Sequence, residues 1–260
     1  MSSVGQQRHE AVIDTLIVQI FNRELKPGEK LPTERELSKQ FNVDRTSLRV
    51  ALKQLQSMHI IDIRQGDGMY VKDYLEYAGI DFLDRLFLMD FNGKKDTIID
   101  GYIHDELWEF WIEFLPTMLV VAAKNFTTRN IKEAMSMLDE ELKYIDDKSK
   151  VVEIELRSQE MVAKATNNIM FILMTNASRQ VRRKMLKNFV ATVGLDTVKE
   201  HIQLKKNMLN AHFAGSVSDM VNAAGKYKEV LQKLRVQMRK TSTQQQVDTV
   251  SDEKPDSVLI

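Results

Sequence analysis

The chain contains no cysteine, so no disulfide holds its fold and no thiol can act as a nucleophile or a soft metal ligand. Glycine and proline are scarce, with 10 and 4 among 260 residues, and methionine is plentiful at 14. So little turn punctuation excludes a collagen-like or low-complexity chain and points to long helices. No apolar run reaches the ~18 residues of a membrane-spanning helix. Residues 1–8 lack the apolar stretch of a secretory signal, so the cytoplasm is the expected location. Charge of either sign is not in excess. Lys+Arg and Asp+Glu stand at 37 each, for a formal net charge of zero. Residues 1–73 alone come to about +1 by formal counting. Bulk attraction to a polyanion is therefore excluded, and any affinity for nucleic acid must rest on where single arginines are placed. No Gly-rich phosphate loop, Gly-x-Ser-x-Gly elbow or His-Glu-x-x-His pair is present, and no enzyme is expected.

What is present is a local pattern. Leu37, Phe41 and Val43, then Leu48, Ala51, Leu52 and Leu55, fit two short helices joined by a tight turn. Thr33 with Glu36 three residues later makes a capping box for the first. The second opens on Asp44, Arg45, Thr46 and Ser47, with Arg49 one turn on. Arginine forks onto a guanine edge, hydroxyls bond to phosphates, and free backbone N–H groups at a helix start favour anions. Residues 60–71 then hold two short β-prone runs around Gly66-Asp67-Gly68, a hairpin or wing. A helix over Ala11–Phe21, closed by Pro27-Gly28, precedes the pair. Together these predict a winged helix-turn-helix DNA-binding domain over 1–73. Its DNA contacts are Arg35, Arg45, Thr46, Ser47 and Arg49, with Gln65 and Gly66 on the wing and Arg64 beside them. Asp67 at the wing tip is out of place, since phosphate repels it.

The remainder is predicted mostly α. A linker helix covers 74–92, and a helical ligand-binding and dimerisation domain covers 93–240. Its helices are expected near 97–124, 128–146, 149–166, 168–193, 196–213 and 216–240, the first kinked at Pro116. Thr127 or Thr128, Ser149, Asn167 or Asn168, Asp196 and Ser216 or Ser218 are its expected caps. A disordered tail is expected over 241–260, where periodicity gives way to Gln and acidic residues.

The first ~75 residues resemble the GntR family of bacterial transcription regulators. The resemblance is carried by Lys26–Leu37, Val43–Arg49 and Arg64–Val71, three motifs in order and at the right spacing. It implies that Arg35, the run Arg45 to Ser47, and Arg49 contact an operator, and that Gly66 approaches the minor groove. The linker Asp73–Leu86 and the segment Val162–Asn168 are similar to the FadR branch, which implies an all-helical effector-binding bundle. Many members of that branch hold a metal through an Asp and three His. Here the first two positions are Glu155 and Gln159, and the later ones fall near Lys205 and Glu229. Divalent metals of that kind need deprotonated N or S ligands converging at ~2 Å, so no metal and no other cofactor is expected. His104, His201 and His212 read as ordinary hydrogen-bonded or surface residues. Glu106 occupies the position of an Arg that suits small carboxylates.

For the bundle, Trp108, Trp111, Phe171 and Phe189 are either a filled core or the lining of a long apolar cavity. Tyr102, Met174, Met208 and Phe213 share that alternative, since methionine suits a pocket that repacks. The basic run Arg179, Arg182, Arg183, Lys184 and Lys187 is either a solvated face or a phosphate-neutralising one. The sequence thus predicts a homodimeric regulator of double-stranded operator DNA that answers to a long-chain acyl-CoA or similar apolar effector, with no membrane partner. Other readings are a GntR regulator of another metabolite, or a helical ligand-binding or scaffold protein whose winged helix does not bind DNA.

Overall fold

A computed structural model describes the backbone of residues 2–89, 101–214 and 217–251, and the side chains of 8–87, 89, 105–210, 219 and 221–239. The chain divides into two compact units, Met1–Ile98 and Ile99–Ile260.

In the first unit, α1 (Ser2–Phe21) precedes α2 (Glu34–Gln40) and α3 (Arg45–Ser57), and a hairpin of β1 (Ile61–Arg64) and β2 (Gly68–Val71) follows. Helix α1 begins well before the expected Ala11. Val12, Ile13, Leu16, Ile17 and Ile20 recur at helical spacing and are all buried, facing the apolar stripe Leu48, Ala51, Leu52 and Leu55 of α3. The capping box at α2 is formed: Thr33 Oγ1 accepts the Glu36 N–H, and Glu36 accepts the Thr33 N–H at 2.8 Å. The turn between α2 and α3 passes through Asn42 at φ 51°, a left-handed conformation that asparagine tolerates. Ser38 Oγ ties it down by donating to the Val43 carbonyl at 2.6 Å.

In the hairpin, Ile61 pairs with Val71 and Arg64 with Gly68. Gly66 takes φ 80° at the tip, where a side chain would be strained. The Glu29–Leu31 segment lies along the other edge of β2, with Leu31 N–H donating to the Met69 carbonyl at 2.8 Å and Val71 N–H to Glu29 at 2.9 Å.

The expected linker helix is broken in two, α4 (Tyr74–Tyr77) and α5 (Ile80–Met89), by Ala78 in extended conformation. Residues 90–92 of that linker lie outside the described ones. Helix α5 buries Phe82, Leu86 and Phe87, and Arg85 pairs with Asp14 of α1.

The second unit is an all-helical bundle: α6 (Gly101–Ala123), α7 (Thr128–Lys143), α8 (Lys148–Ala165), α9 (Ile169–Ala177), α10 (Arg179–Thr192), α11 (Leu195–Ala214) and α12 (Val217–Ser251). Helix α6 continues through Pro116. Thr127, Asp147 and Asn168 cap α7, α8 and α9, so Asp147 takes the role expected of Ser149. The single helix expected over 168–193 is two, divided at Ser178. There the Ser178 hydroxyl donates back to the Met174 carbonyl at 2.7 Å and accepts from Arg182 Nε at 3.3 Å. The tail expected to be disordered from Thr241 is helical to Ser251. Once the packed part of α12 has nucleated a helix, each further residue adds a hydrogen bond at little entropic cost. Residues 252–260 lie outside the described ones.

Candidate nucleic-acid interface and bundle cavity

Packing decides which side of α3 is free. With Leu48, Ala51, Leu52 and Leu55 against the core, Arg45, Thr46 and Arg49 are exposed over the first turns of α3, and Arg35 of α2 is exposed too. Asp44 caps α3, its carboxylate accepting the Ser47 N–H at 2.9 Å and the Ser47 hydroxyl at 2.7 Å. These bonds hold the Asp44 carboxyl below the usual range. They also commit the Ser47 hydroxyl within the protein, which leaves Thr46 as the freer hydroxyl of the expected pair. Arg35 and Arg45 have no ion-pair partner among the described residues. Arg49 donates from Nε to Glu34 at 2.9 Å, leaving its terminal Nη fork for an acceptor outside the protein.

On the wing, Gln65 and Gly66 are exposed. Arg64 lies 4.3 Å above the Tyr70 ring and pairs with Asp62 at 2.9 Å. Asp67 is accounted for within the wing, accepting from Tyr70 Oη at 3.0 Å and Lys30 Nζ at 3.4 Å. A carboxylate so neutralised repels phosphate less than a bare one.

In the bundle, Trp108, Trp111, Phe189 and Met208 are buried in one continuous core, with Trp108 and Phe189 5.8 Å apart. Phe171 is half-buried against Phe114, and Met174 is exposed. The side chains of Tyr102, Phe213, His104 and His212 lie outside the described residues. A cavity of about 50 Å³ opens in this bundle, and of the expected lining residues it includes Met208. The large aromatics fill space instead of surrounding it, a distinction that composition cannot make. The polar side chains at the cavity, Glu155, Ser158, Gln159, Lys205 and Tyr227, were not read as a binding wall. Their signal in the sequence was a Glu155–Gln159 pair at helical spacing on an otherwise apolar face.

These side chains form a buried chain of bonds. Lys205 Nζ donates to Glu155 at 2.5 Å and Glu141 at 3.1 Å. Gln159 Nε2 donates to Glu155 at 2.9 Å, and Arg182 Nη1 to Gln159 at 2.6 Å. Burial is the largest influence on Glu155 and raises it, but the Lys205 charge, acting together with the smaller influence of His201 and the bonds from Lys205 and Gln159, outweighs burial and holds the group down to about 2. For Glu141, burial and the Glu155 charge prevail over Lys205, and the group is pushed up to about 7. Burial lowers His201 to about 3, so its imidazole is neutral where it meets the Tyr227 hydroxyl at 2.9 Å.

This set does not fit a metal. An ammonium already stands between the two carboxylates, Glu229 is exposed, and no group of three metal-ligating side chains occurs among the described residues. Three arginines of the basic run are engaged within the protein. Arg182 is in the core, donating to the Thr175 carbonyl at 2.6 Å, while Arg179 pairs with Glu153 and Glu160, and Arg183 with Glu153.

Residues 8–71 match the model of the bacterial regulatory proteins of the gntR family. The N-terminal unit thus contains a gntR-family winged helix-turn-helix domain. Over 188 residues, 71% of this chain and 74% of the relative, the chain is 28% identical to the HTH-type transcriptional regulator Mce2R of Mycobacterium tuberculosis. It is 34% identical over 85 residues to the fatty acid metabolism regulator protein of Vibrio vulnificus, a match covering 33% of this chain and 30% of that one. Among solved structures, Lar of Listeria monocytogenes has a TM-score of 0.54 at 14% identity, over 92% of this chain and 98% of Lar, a likeness of fold alone. No helix among the described residues is long and apolar enough to cross a membrane.

Proposed function

We propose that this chain, with its gntR-family head, is a cytoplasmic transcription regulator and not an enzyme. It binds operator DNA as a homodimer and is governed by an acyl-CoA or similar apolar effector in the bundle cavity. The observation that carries the DNA reading is the exposed N-terminal part of α3, with Arg45, Thr46 and Arg49, on a helix anchored by its buried stripe, and Arg35 exposed on α2. A helix so presented fits a major groove, and two heads of a dimer would read half-sites one helical turn apart. The homodimer is supported by α9, whose Ile169, Met170 and Leu173 are exposed, an apolar patch of the kind that association covers. The wing contributes Gln65 and Gly66 at its tip.

Effector binding would shift the population between head spacings that fit the operator and spacings that do not. The acyl reading is supported by the apolar cavity wall and by the likeness to a fatty acid metabolism regulator. The cavity volume favours a second reading within the same class. About 50 Å³ is well below the ~300–1,000 Å³ of a ligand pocket. A metabolite smaller than a long acyl chain would enter with less repacking of Met161 and Met208.

Selection from a randomised duplex pool supplies the operator. A protein that enriches no sequence is not a regulator of this kind. Titration with acyl-CoAs of increasing length, read by calorimetry and by release of the selected duplex, tests the effector. Affinity climbing with length supports the long-chain reading, and binding restricted to the shortest members supports the smaller metabolite.

A further inference from the structure

We infer that Lys205 is the ligand-anchoring cation of the bundle, its ammonium taking the acyl oxygen of a molecule whose apolar part fills the cavity. This rests on the reading of that cavity as the effector site. The acyl oxygen belongs either to a free carboxylate or to a thioester carbonyl, and both present the same acceptor to the ammonium.

The hydrogen-bond inventory carries the argument. An ammonium has three donors. Glu155 and Glu141 take two of those of Lys205, and no third acceptor is described for it. Lys205 nevertheless borders the cavity, where it is the cation among the described lining residues. The neighbouring polar groups are bonded to one another. Glu155 accepts from Lys205 with one oxygen and from Gln159 with the other, and Gln159 accepts from Arg182. What the wall presents to an acceptor is therefore an N–H donor on a fixed charge, with the Ser158 hydroxyl and the second amide N–H of Gln159 as neutral donors on the same wall. The same cavity is lined by Leu115, Leu119, Leu138 and Val162, which accept only an apolar body.

Charge balance agrees with this polarity. Lys205 and Arg182 are both cationic at neutral pH, Glu155 is anionic, and Glu141 is near its midpoint. With Glu141 protonated, Lys205 faces one carboxylate charge, that of Glu155, while Arg182 has Glu160 at 4.0 Å, so an incoming carbonyl dipole or carboxylate meets no surplus of negative charge. A buried ion triad is no more stabilising than apolar side chains of similar volume, so packing alone does not account for it. The ammonium also supplies the positive charge that an anionic head needs, with no metal required.

The test uses the full chain with octanoate, octanoyl-CoA and octylamine, read by calorimetry. Because Lys205→Met alone strands two buried carboxylates and risks unfolding, the comparison is made in the Glu141→Gln/Glu155→Gln background, with and without Lys205→Met. The expected result is binding of octanoate, octanoyl-CoA or both, none of octylamine, and at least a tenfold loss on Lys205→Met. Octanoate alone identifies a free acid as the source, and octanoyl-CoA alone a thioester. If octanoate binds, [1-13C]octanoate should titrate below its free value in the wild type, a signature that a merely structural lysine would not give. Equal binding with and without Lys205 overturns the anchor while leaving the cavity as effector site. Failure of every acyl probe overturns both the anchor and the acyl reading. Binding of octylamine as tight as that of octanoate overturns the donor polarity of the wall.

Discussion

Replacing Glu141 by Gln should remove a pH dependence of the bundle's stability that the wild type shows only by comparison. The Glu141 carboxyl has an ordinary value of 4.5 and is pushed up to about 7 by burial and by Glu155, against the pull of Lys205. The folded chain thus holds this proton more tightly than the unfolded chain does. The stability it contributes is complete below pH 4.5 and is lost as pH rises to about 7. At roughly 1.4 kcal/mol per pH unit, that interval corresponds to about 3 kcal/mol. Glutamine keeps an oxygen that can accept from Lys205 but has no proton to lose, so Glu141→Gln lacks this dependence. The stability of the wild type minus that of the variant should therefore fall by about 3 kcal/mol between pH 4.5 and 7.5. Urea unfolding at intervals across that window measures it. The chain has two tryptophans, Trp108 and Trp111, both on α6, so their fluorescence reports the bundle and not the head. Acid effects on other groups are common to both proteins and cancel. A difference that stays flat, or that grows with pH, refutes the argument.

Arg45→Ala and Arg49→Ala should each weaken binding to the selected duplex by about 1–3 kcal/mol while leaving the circular dichroism unchanged. Wild-type affinity in both would remove α3 as the reading helix. Thr33→Ala deletes the α2 capping box and should destabilise the head by about 0.5–2 kcal/mol in a thermal melt. Leu52→Ala, a fully buried contact of α3, should cost more, about 2–5 kcal/mol. Elemental analysis of protein purified without chelator should find no stoichiometric zinc, nickel or manganese. One metal per chain would contradict the placement of Lys205 between Glu141 and Glu155.

Much of the head was legible because its determinants are local. Thr33 and Glu36 are three residues apart, as are Asp44 and Ser47, and each pair makes its hydrogen bonds within a single helical turn. The wing follows from two β-prone runs separated by Gly66-Asp67-Gly68, and Gly66 does take the left-handed conformation such a tip needs. The neutralisation of Asp67 was less accessible, since Lys30 reaches it from a segment 37 residues earlier that lies along the outer edge of β2.

The sequence by itself determined the helix-turn-helix, its wing, and the periodicity that makes the second unit a bundle, because those depend on spacings shorter than one element. Only the tertiary structure decided what the bundle's polar residues do. Glu141 on α7 and Lys205 on α11 each read as a charged position on an amphipathic helix, and nothing local joins them to Glu155 on α8, whose own signal was its spacing to Gln159. Packing three helices around one cavity brings their charges within hydrogen-bonding distance and strips away their water. Position and desolvation together, neither of them a property of any short segment, turn ordinary carboxylates into one held ionised and one held near neutrality. The break at Ser178 has the same origin. Thr175, Asn176 and Ser178 are weak helix formers and allow a break, but only the fold brings Arg182 inward to Gln159 and to the Thr175 carbonyl in the last turn of α9.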